Sequence, residues 1–305
     1  MSIANKRSRN KMRRAEAGAA YFCLFPSIIG LVFITYIPLV CVFVLSFFSW
    51  KGFDTARFVG FSNYVRLFTR DFYFYDSIRA TVVYALLAVG GSMVWSLLVA
   101  MLLNRKVTAR GFFRAVFYLP YVLPAMAVYL GWSWLYDYNH GFFNYLGMQL
   151  GFGRTMFMDS AAMVLPSLSV IAVWLSGNLI VIFLAGLQNV PRIYHEAAEI
   201  DGANAWQRFW RITLPCMTPI IFYNLLMSLV TNLQVVTPAL ALTSGGPGNS
   251  TTFISFLLYR YAFQDNRLGY GSAIAVIFFL MIALFTGILF GTSKGWIFYE
   301  GDDKE

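Results

Sequence analysis

Residues 196–215 read Glu-Ala-Ala-Glu-Ile-Asp-Gly-Ala-Asn-Ala-Trp-Gln-Arg-Phe-Trp-Arg-Ile-Thr-Leu-Pro, a polar segment set between two long apolar stretches. Five charged side chains fall here: Glu196, Glu199, Asp201, Arg208 and Arg211. The flanking runs, 160–191 and 212–259, carry none. A short connector with strong local structure on an otherwise apolar chain needs a surface to dock against. The flanks decide the fold class, and the connector decides what the fold is for.

Working outward, only 12% of residues are charged and 59% are hydrophobic, which is not the composition of a soluble globular domain. Further uncharged runs cover 17–50, 80–104, 115–136 and 268–293. A helix needs about 20 apolar residues to cross a bilayer. The 212–259 run is too long for one crossing and is interrupted by Thr243-Ser-Gly-Gly-Pro-Gly-Asn-Ser-Thr251, a cluster of turn formers. The pattern predicts an all-α polytopic membrane protein with six transmembrane helices, at about 19–48, 80–103, 115–136, 162–187, 216–242 and 271–293. A basic tail (1–18) precedes this 19–293 domain, and a short tail (294–305) follows it.

Lys and Arg near the span ends set the orientation. Fifteen fall on one side: Lys6, Arg7, Arg9, Lys11, Arg13, Arg14, Arg105, Lys106, Arg110, Arg114, Arg192, Arg208, Arg211, Lys294 and Lys304. Eight fall on the other, five of them in the 49–79 loop. Both tails and the 188–215 loop are therefore expected in the cytoplasm. The basic tail reads as a topological signal, and no nucleic-acid partner is expected. The first apolar run is too long for a signal peptide and lacks its cleavage site. Cys23 and Cys41 sit about 27 Å apart on one predicted helix, and Cys216 lies near a cytoplasmic end, so no disulfide is expected.

The six spans contain no Asp, Glu, Lys, Arg or His. Ion-coupled carriers generally use such groups inside the membrane, which speaks against a secondary carrier. No GxxxxGK[ST] loop, HExxH, CxxC or Ser-centred elbow occurs, and His140 and His195 fall on opposite sides of the membrane. The chain is expected to be no enzyme, with no catalytic residue, no metal and no cofactor of its own.

Within the connector, Pro191 suits the first turn of a helix running to Asp201, and Gly202 suits a left-handed C-terminal cap. Asn204 and Gln207 are spaced as a capping box opening a second helix. Ile193, Ala197 and Ile200 share one face of the first helix, while Trp206, Phe209 and Trp210 cluster on the second. An interfacial hairpin without a partner is the alternative reading.

The order Glu196-Ala197-Ala198, Gly202, then Ile212-x-Leu214-Pro215 resembles the EAA loop of the permease subunits of binding-protein-dependent ABC importers. The resemblance covers most of 19–293. Arg114-Ala-Val-Phe-Tyr-Leu-Pro120, Pro124, Trp132, Gly141-Phe-Phe-Asn144 and the 242–251 segment are similar to the carbohydrate branch, with its maltose, oligosaccharide and glycerol 3-phosphate importers. The resemblance implies a bacterial or archaeal cytoplasmic membrane protein whose EAA loop forms coupling helices. Its implied partners are two ATPase subunits, which bind ATP and Mg, a second and distinct permease, an extracytoplasmic solute-binding protein and membrane lipid. It makes the chain half of the path for a sugar or oligosaccharide, with glycerol 3-phosphate or another polyol as the alternative cargo.

Asn224, Ser228, Thr231 and Asn232 fall on one stripe of span five, with Pro238 above them, and span four adds Trp174, Ser176 and Asn178. Neutral amides and hydroxyls suit sugar hydroxyls, though such groups also bond neighbouring helices. The resemblance favours Ser228 and Asn232 as solute contacts and leaves Val235 where a polar contact is expected. The external segments 137–159 and 243–270 are rich in Gly, Asn and aromatics, which read first as anchors at the membrane interface; a contact with the binding protein through Tyr138 and Asn144 is the further reading.

Overall fold

A computed structural model describes residues 16, 20–105, 109–293 and 295–297. The expectations for the basic tail, for Lys106 and for most of 294–305 lie outside these residues. The chain forms two compact units: the described residues up to Arg66 with Tyr261–Val276, and Leu67–Arg260 with those from Ile277 onward.

In the first unit, α1 (Ala20–Leu45) is apolar on all sides, and none of its most apolar window is buried. Its 26 residues rise about 39 Å, enough for a 30 Å hydrocarbon layer. A helix with no polar face has no stable place at a water interface. A two-stranded hairpin follows, β1 (Phe48–Ser49) against β2 (Arg57–Phe58). Asn63 ties it to the end of α1 by donating to the carbonyls of Ser46 (2.8 Å) and Phe48 (3.0 Å).

The second unit is built around α3 (Phe72–Asn104), which follows the short helix α2 (Ser62–Arg70). Asp71 caps α3 by accepting from the Tyr73 N–H. Small residues, Ser77, Ala80, Thr81, Ala85, Ala88, Ser92, Ser96 and Ala100, line the buried face of α3 and let neighbouring helices approach closely. Against it pack α7 (Val164–Trp174), α8 (Gly177–Asn189) and α11 (Thr218–Leu233). The chain closes with α13 (Leu268–Ser293).

Among the described residues, three helices, α1, α3 and α13, are long and apolar enough to cross a membrane unbroken. The other three apolar stretches are bent pairs. The 115–136 stretch divides into α4 (Arg110–Val122) and α5 (Ala125–Leu135), turned by 99°. The 162–187 stretch divides into α7 and α8, turned by 51°. The helix leading into 216–242 starts far upstream, as α10 (Ala205–Cys216), and turns by 65° into α11. Pro124 accounts for the first break, since its ring excludes a preceding helical residue: Leu123 is extended at φ −69°, ψ 145°. Met217 marks the third, two residues before Pro219.

Pro238 acts as expected, but as a break rather than a smooth bend. Its ring opposes the carbonyl of Gln234, four residues back. α11 ends at Leu233, Gln234 caps it, and helical turns resume only at Thr237.

The 137–159 and 243–270 segments are folded rather than loose. Between α5 and α7, α6 (Phe142–Gln149) carries Asn144 into the interior. In the 243–252 turn, the Thr243 and Thr251 hydroxyls lie 2.6 Å apart, and Thr251 also donates to the Gly246 carbonyl at 2.7 Å. The turn leads to α12 (Ile254–Tyr259), whose first N–H donates to Thr81 Oγ1 of α3 at 3.0 Å.

Candidate solute cavity and polar loop

A cavity of about 480 Å³ lies where three helix interruptions meet. Leu123 and Ala125 flank the α4–α5 break, Leu175 and Ser176 form the α7–α8 break, and Gln234–Thr237 form the gap after α11. Each gap frees backbone groups from the helical ladder, and a chain in hydrocarbon tolerates that only against protein or a water-filled space. Tyr84 and Ser92 from α3 and Tyr129 from α5 complete the wall. The Tyr84 hydroxyl is hydrogen-bonded to that of Tyr129.

Five of the seven residues picked from the sequence come together here: Ser176, Asn178, Ser228, Thr231 and Asn232. Asn232 Nδ2 donates to the Ser228 carbonyl at 2.8 Å and lies 3.3 Å from Ser228 Oγ, which fixes the amide on the wall. Ser228 is buried, whereas Thr231 and Gln234 are exposed along one open side. No residue lining the cavity is charged.

The other two residues lie elsewhere. Asn224 is fully buried, with Nδ2 3.4 Å from the Leu179 carbonyl, and serves the packing of α11 against α8. Its Oδ1 has no hydrogen-bond partner among the described residues. Trp174 stands edge-on to Trp132 with ring centroids 5.7 Å apart, part of an aromatic stack that continues through Phe143 to Tyr136 and Phe157. Neither residue lines the cavity. Tyr84, Ser92, Tyr121, Tyr129, Gln234 and Thr237 do, and sequence reasoning missed them. Tyr84 and Ser92 recur at i and i+8 of one helix, a signal available in the sequence but shared by many packing residues.

Asn144 is corrected by the structure. It is buried, donates to the carbonyls of Asp137, Tyr138 and Thr155, and accepts the Thr155 N–H at 2.7 Å. It holds the 137–155 loop together and has no surface to offer a partner. At the start of the loop, Asp137 Oδ1 accepts the N–H groups of His140 (2.7 Å) and Asn139 (2.9 Å). These bonds, the His140 one foremost, hold its carboxyl below the usual carboxylate range.

The polar loop forms two helices at an angle. α9 (Arg192–Ile200) starts after Pro191 and ends in a two-bond cap: the Gly202 N–H donates to the Glu199 carbonyl at 3.0 Å, and the Ala203 N–H to that of Ala198 at 2.8 Å. This cap needs a left-handed residue, and Gly202 has φ +77°. Asn204 and Gln207 form the complete capping box at the start of α10, with bonds of 2.8 and 2.9 Å. Arg208 pairs with Glu199 across the turn.

α9 buries none of its residues. Glu196 and Ala197 are exposed and Ala198 is half-buried. Ile193 and Ile200 are 67% and 88% exposed, and Trp206 is 69% exposed. Ile193 and Ile200 thus leave an exposed apolar face on α9. Ile212, Leu214 and Pro215 are half-buried, and Ile212 packs with Met217 and Leu187 into the core.

The comparisons with known proteins agree with this architecture. The pattern of the family described as binding-protein-dependent transport system inner membrane component matches residues 92–292. The probable ABC transporter permease protein YesP of Bacillus subtilis is 35% identical over 99% of this chain and 98% of its own length. The multiple sugar-binding transport system permease protein MsmF of Streptococcus mutans is 36% identical over 90% of this chain and 94% of its own. One chain of a solved bacterial alginate ABC transporter, in complex with an alginate pentasaccharide-bound periplasmic protein, superposes with a TM-score of 0.76. It covers 95% of this chain and 96% of that one at 22% identity, a likeness of fold. The chain belongs to the binding-protein-dependent transport system inner membrane components, as a permease subunit of an ABC transporter.

Proposed function

We propose that this permease carries a neutral sugar or oligosaccharide, handed to it by an extracytoplasmic binding protein. The observation that carries this reading is the uncharged wall of the 480 Å³ cavity, where hydroxyls and amides converge at three helix breaks. Sugar hydroxyls need donors and acceptors together, and full charges would be left unpaired. Glycerol 3-phosphate would meet no cation there. Relatives named for multiple sugars and for trehalose and maltose support the same class.

In this reading Ser228, Thr231, Asn232, Ser176 and Asn178, joined by Tyr84, Ser92, Tyr129 and Gln234, touch the solute. The open side at Thr231 and Gln234 is where a second, distinct permease completes the path. Each of the three bent pairs is one span, which gives six spans with both tails in the cytoplasm. The exposed face of α9, with Glu196, Ala197 and Ala198, seats on an ATPase subunit. Gly202 and the Ile212–Pro215 stretch pass its closure to α11. ATP and Mg bind in that partner, and this chain performs no covalent chemistry.

The test is radiolabelled sugar uptake by cells carrying the whole transporter, with wild-type chain or Asn232→Leu, alongside co-purification of the ATPase subunits. Loss of affinity for sugar with intact assembly supports the assignment. Unchanged uptake in Asn232→Leu and in Tyr129→Phe overturns it.

A further inference from the structure

A second cavity, of about 420 Å³, lies between the C-terminal end of α3 and the polar loop. Asn104 and Arg105 of α3, His195 of α9 and Arg208 and Thr213 of α10 supply its polar wall. Met101, Leu187 and Phe209 supply an apolar floor. Of the two arginines in this lining, one is claimed locally among the described residues and one is not. Arg208 is paired with Glu199, and Arg110 Nη2 donates to the carbonyls of Asn104 (2.9 Å) and Arg105 (2.7 Å). The Arg105 guanidinium and the His195 imidazole have no hydrogen bond or ion pair among the described residues.

Depth adds a second, independent constraint. The uncharged run 80–104 ends at Arg105, so the cavity straddles the level where hydrocarbon gives way to water. A basic rim over an apolar floor at that level matches a phosphate head group with its first acyl methylenes. Inorganic phosphate would use the rim and leave the floor unexplained. We propose that this cavity holds the head group of an anionic membrane phospholipid, with Arg105 as its principal cation, bracing the polar loop against α3. The proposal rests on the permease reading only for the depth of Asn104.

The test uses the assembled transporter in nanodiscs of mixed phosphatidylglycerol and phosphatidylcholine, with native mass spectrometry of the lipids retained on release. Preferential retention of phosphatidylglycerol is expected, weakened about fivefold by Arg105→Gln, restored by Arg105→Lys and unchanged by Arg211→Gln, whose charge lies outside the cavity. Equal retention of the two lipids, or equal loss in Arg211→Gln, overturns the site. Displacement of the lipid by inorganic phosphate overturns the lipid assignment in favour of a free anion. Sugar uptake is not among these readouts, so failure here leaves the solute assignment separately testable.

Discussion

The hydroxyls of Ser96 and Ser176 lie 2.9 Å apart, joining the C-terminal half of α3 to the break between α7 and α8. Ser176 Oγ also lies 2.7 Å from the Val173 carbonyl, which accepts the Ser176 N–H at 3.2 Å as well where α7 stops. A break that costs backbone hydrogen bonds is thus partly repaired by two side chains. Next to it, Gly177 lets the α4 backbone pass: a Cβ there would stand 2.6 Å from the Phe117 carbonyl oxygen.

These contacts rank two substitutions. Ser96→Ala should cost about 0.6 kcal/mol, the average for a hydrogen bond between membrane helices. Gly177→Ala should cost about 1–3 kcal/mol, because backbone must move to admit the methyl group. Melting temperatures of the two variants in detergent check the order; a milder effect of Gly177→Ala would contradict the close approach.

The cavity separates residues that looked alike in the sequence. Asn232→Leu and Thr231→Val should each raise the apparent KM for sugar about two- to tenfold, the loss of one hydrogen bond apiece. Trp174→Phe, outside the wall, should leave KM unchanged. Uptake kinetics at matched membrane abundance decide this, and equal effects at all three positions would remove the cavity as the solute site.

Asn144→Ala should open the 137–155 loop, since it leaves buried backbone groups without partners at about 1–3 kcal/mol. Hydrogen exchange should quicken at Thr155 and Tyr138. Tyr138→Ala should leave the exchange at Thr155 unchanged. A binding-protein defect in Asn144→Ala would then be an effect of loop shape.

Asp137 gives the same loop a pH dependence. Its folded pKa lies below the ordinary value, so its contribution is present above the ordinary carboxylate range. That contribution is lost as pH falls through the depressed folded value. Protection of the Asn139 and His140 amides, corrected for intrinsic exchange, should fall in that window. Asp137→Ala should remove the dependence, and persistence of the dependence in that variant would assign it to another group.

Gly202→Val should strain the cap between α9 and α10 by about 1–2 kcal/mol, because a β-branched residue resists φ +77°. The variant should insert and bind ATPase subunits, yet hydrolyse ATP with reduced sugar uptake per ATP. Glu196→Lys should act instead at the docking step, lowering ATPase recovery on purification. Normal uptake in both variants would end the coupling assignment.

Local chemistry made much of this protein legible from its residues. Charge-free runs marked the apolar stretches of α1, α3, α13 and the three bent pairs, because a side chain's transfer cost needs no knowledge of its neighbours. The α9 cap at Gly202 and the Asn204–Gln207 box were readable for the same reason: they close within six residues of chain. Tertiary structure alone decided the rest. Pro124 marks a break within residues 115–136, but the 99° angle does not follow from it: α5 is held where Trp132 stacks on Phe143. Asn224 and Asn232 share one helical stripe, yet one is sealed against α8 and the other opens onto the cavity. Asn144 looked like a surface contact and is the buried knot of its loop. Periodicity says which residues share a face; what that face meets is set by helices eighty and more residues away, as Ser96 and Ser176 show.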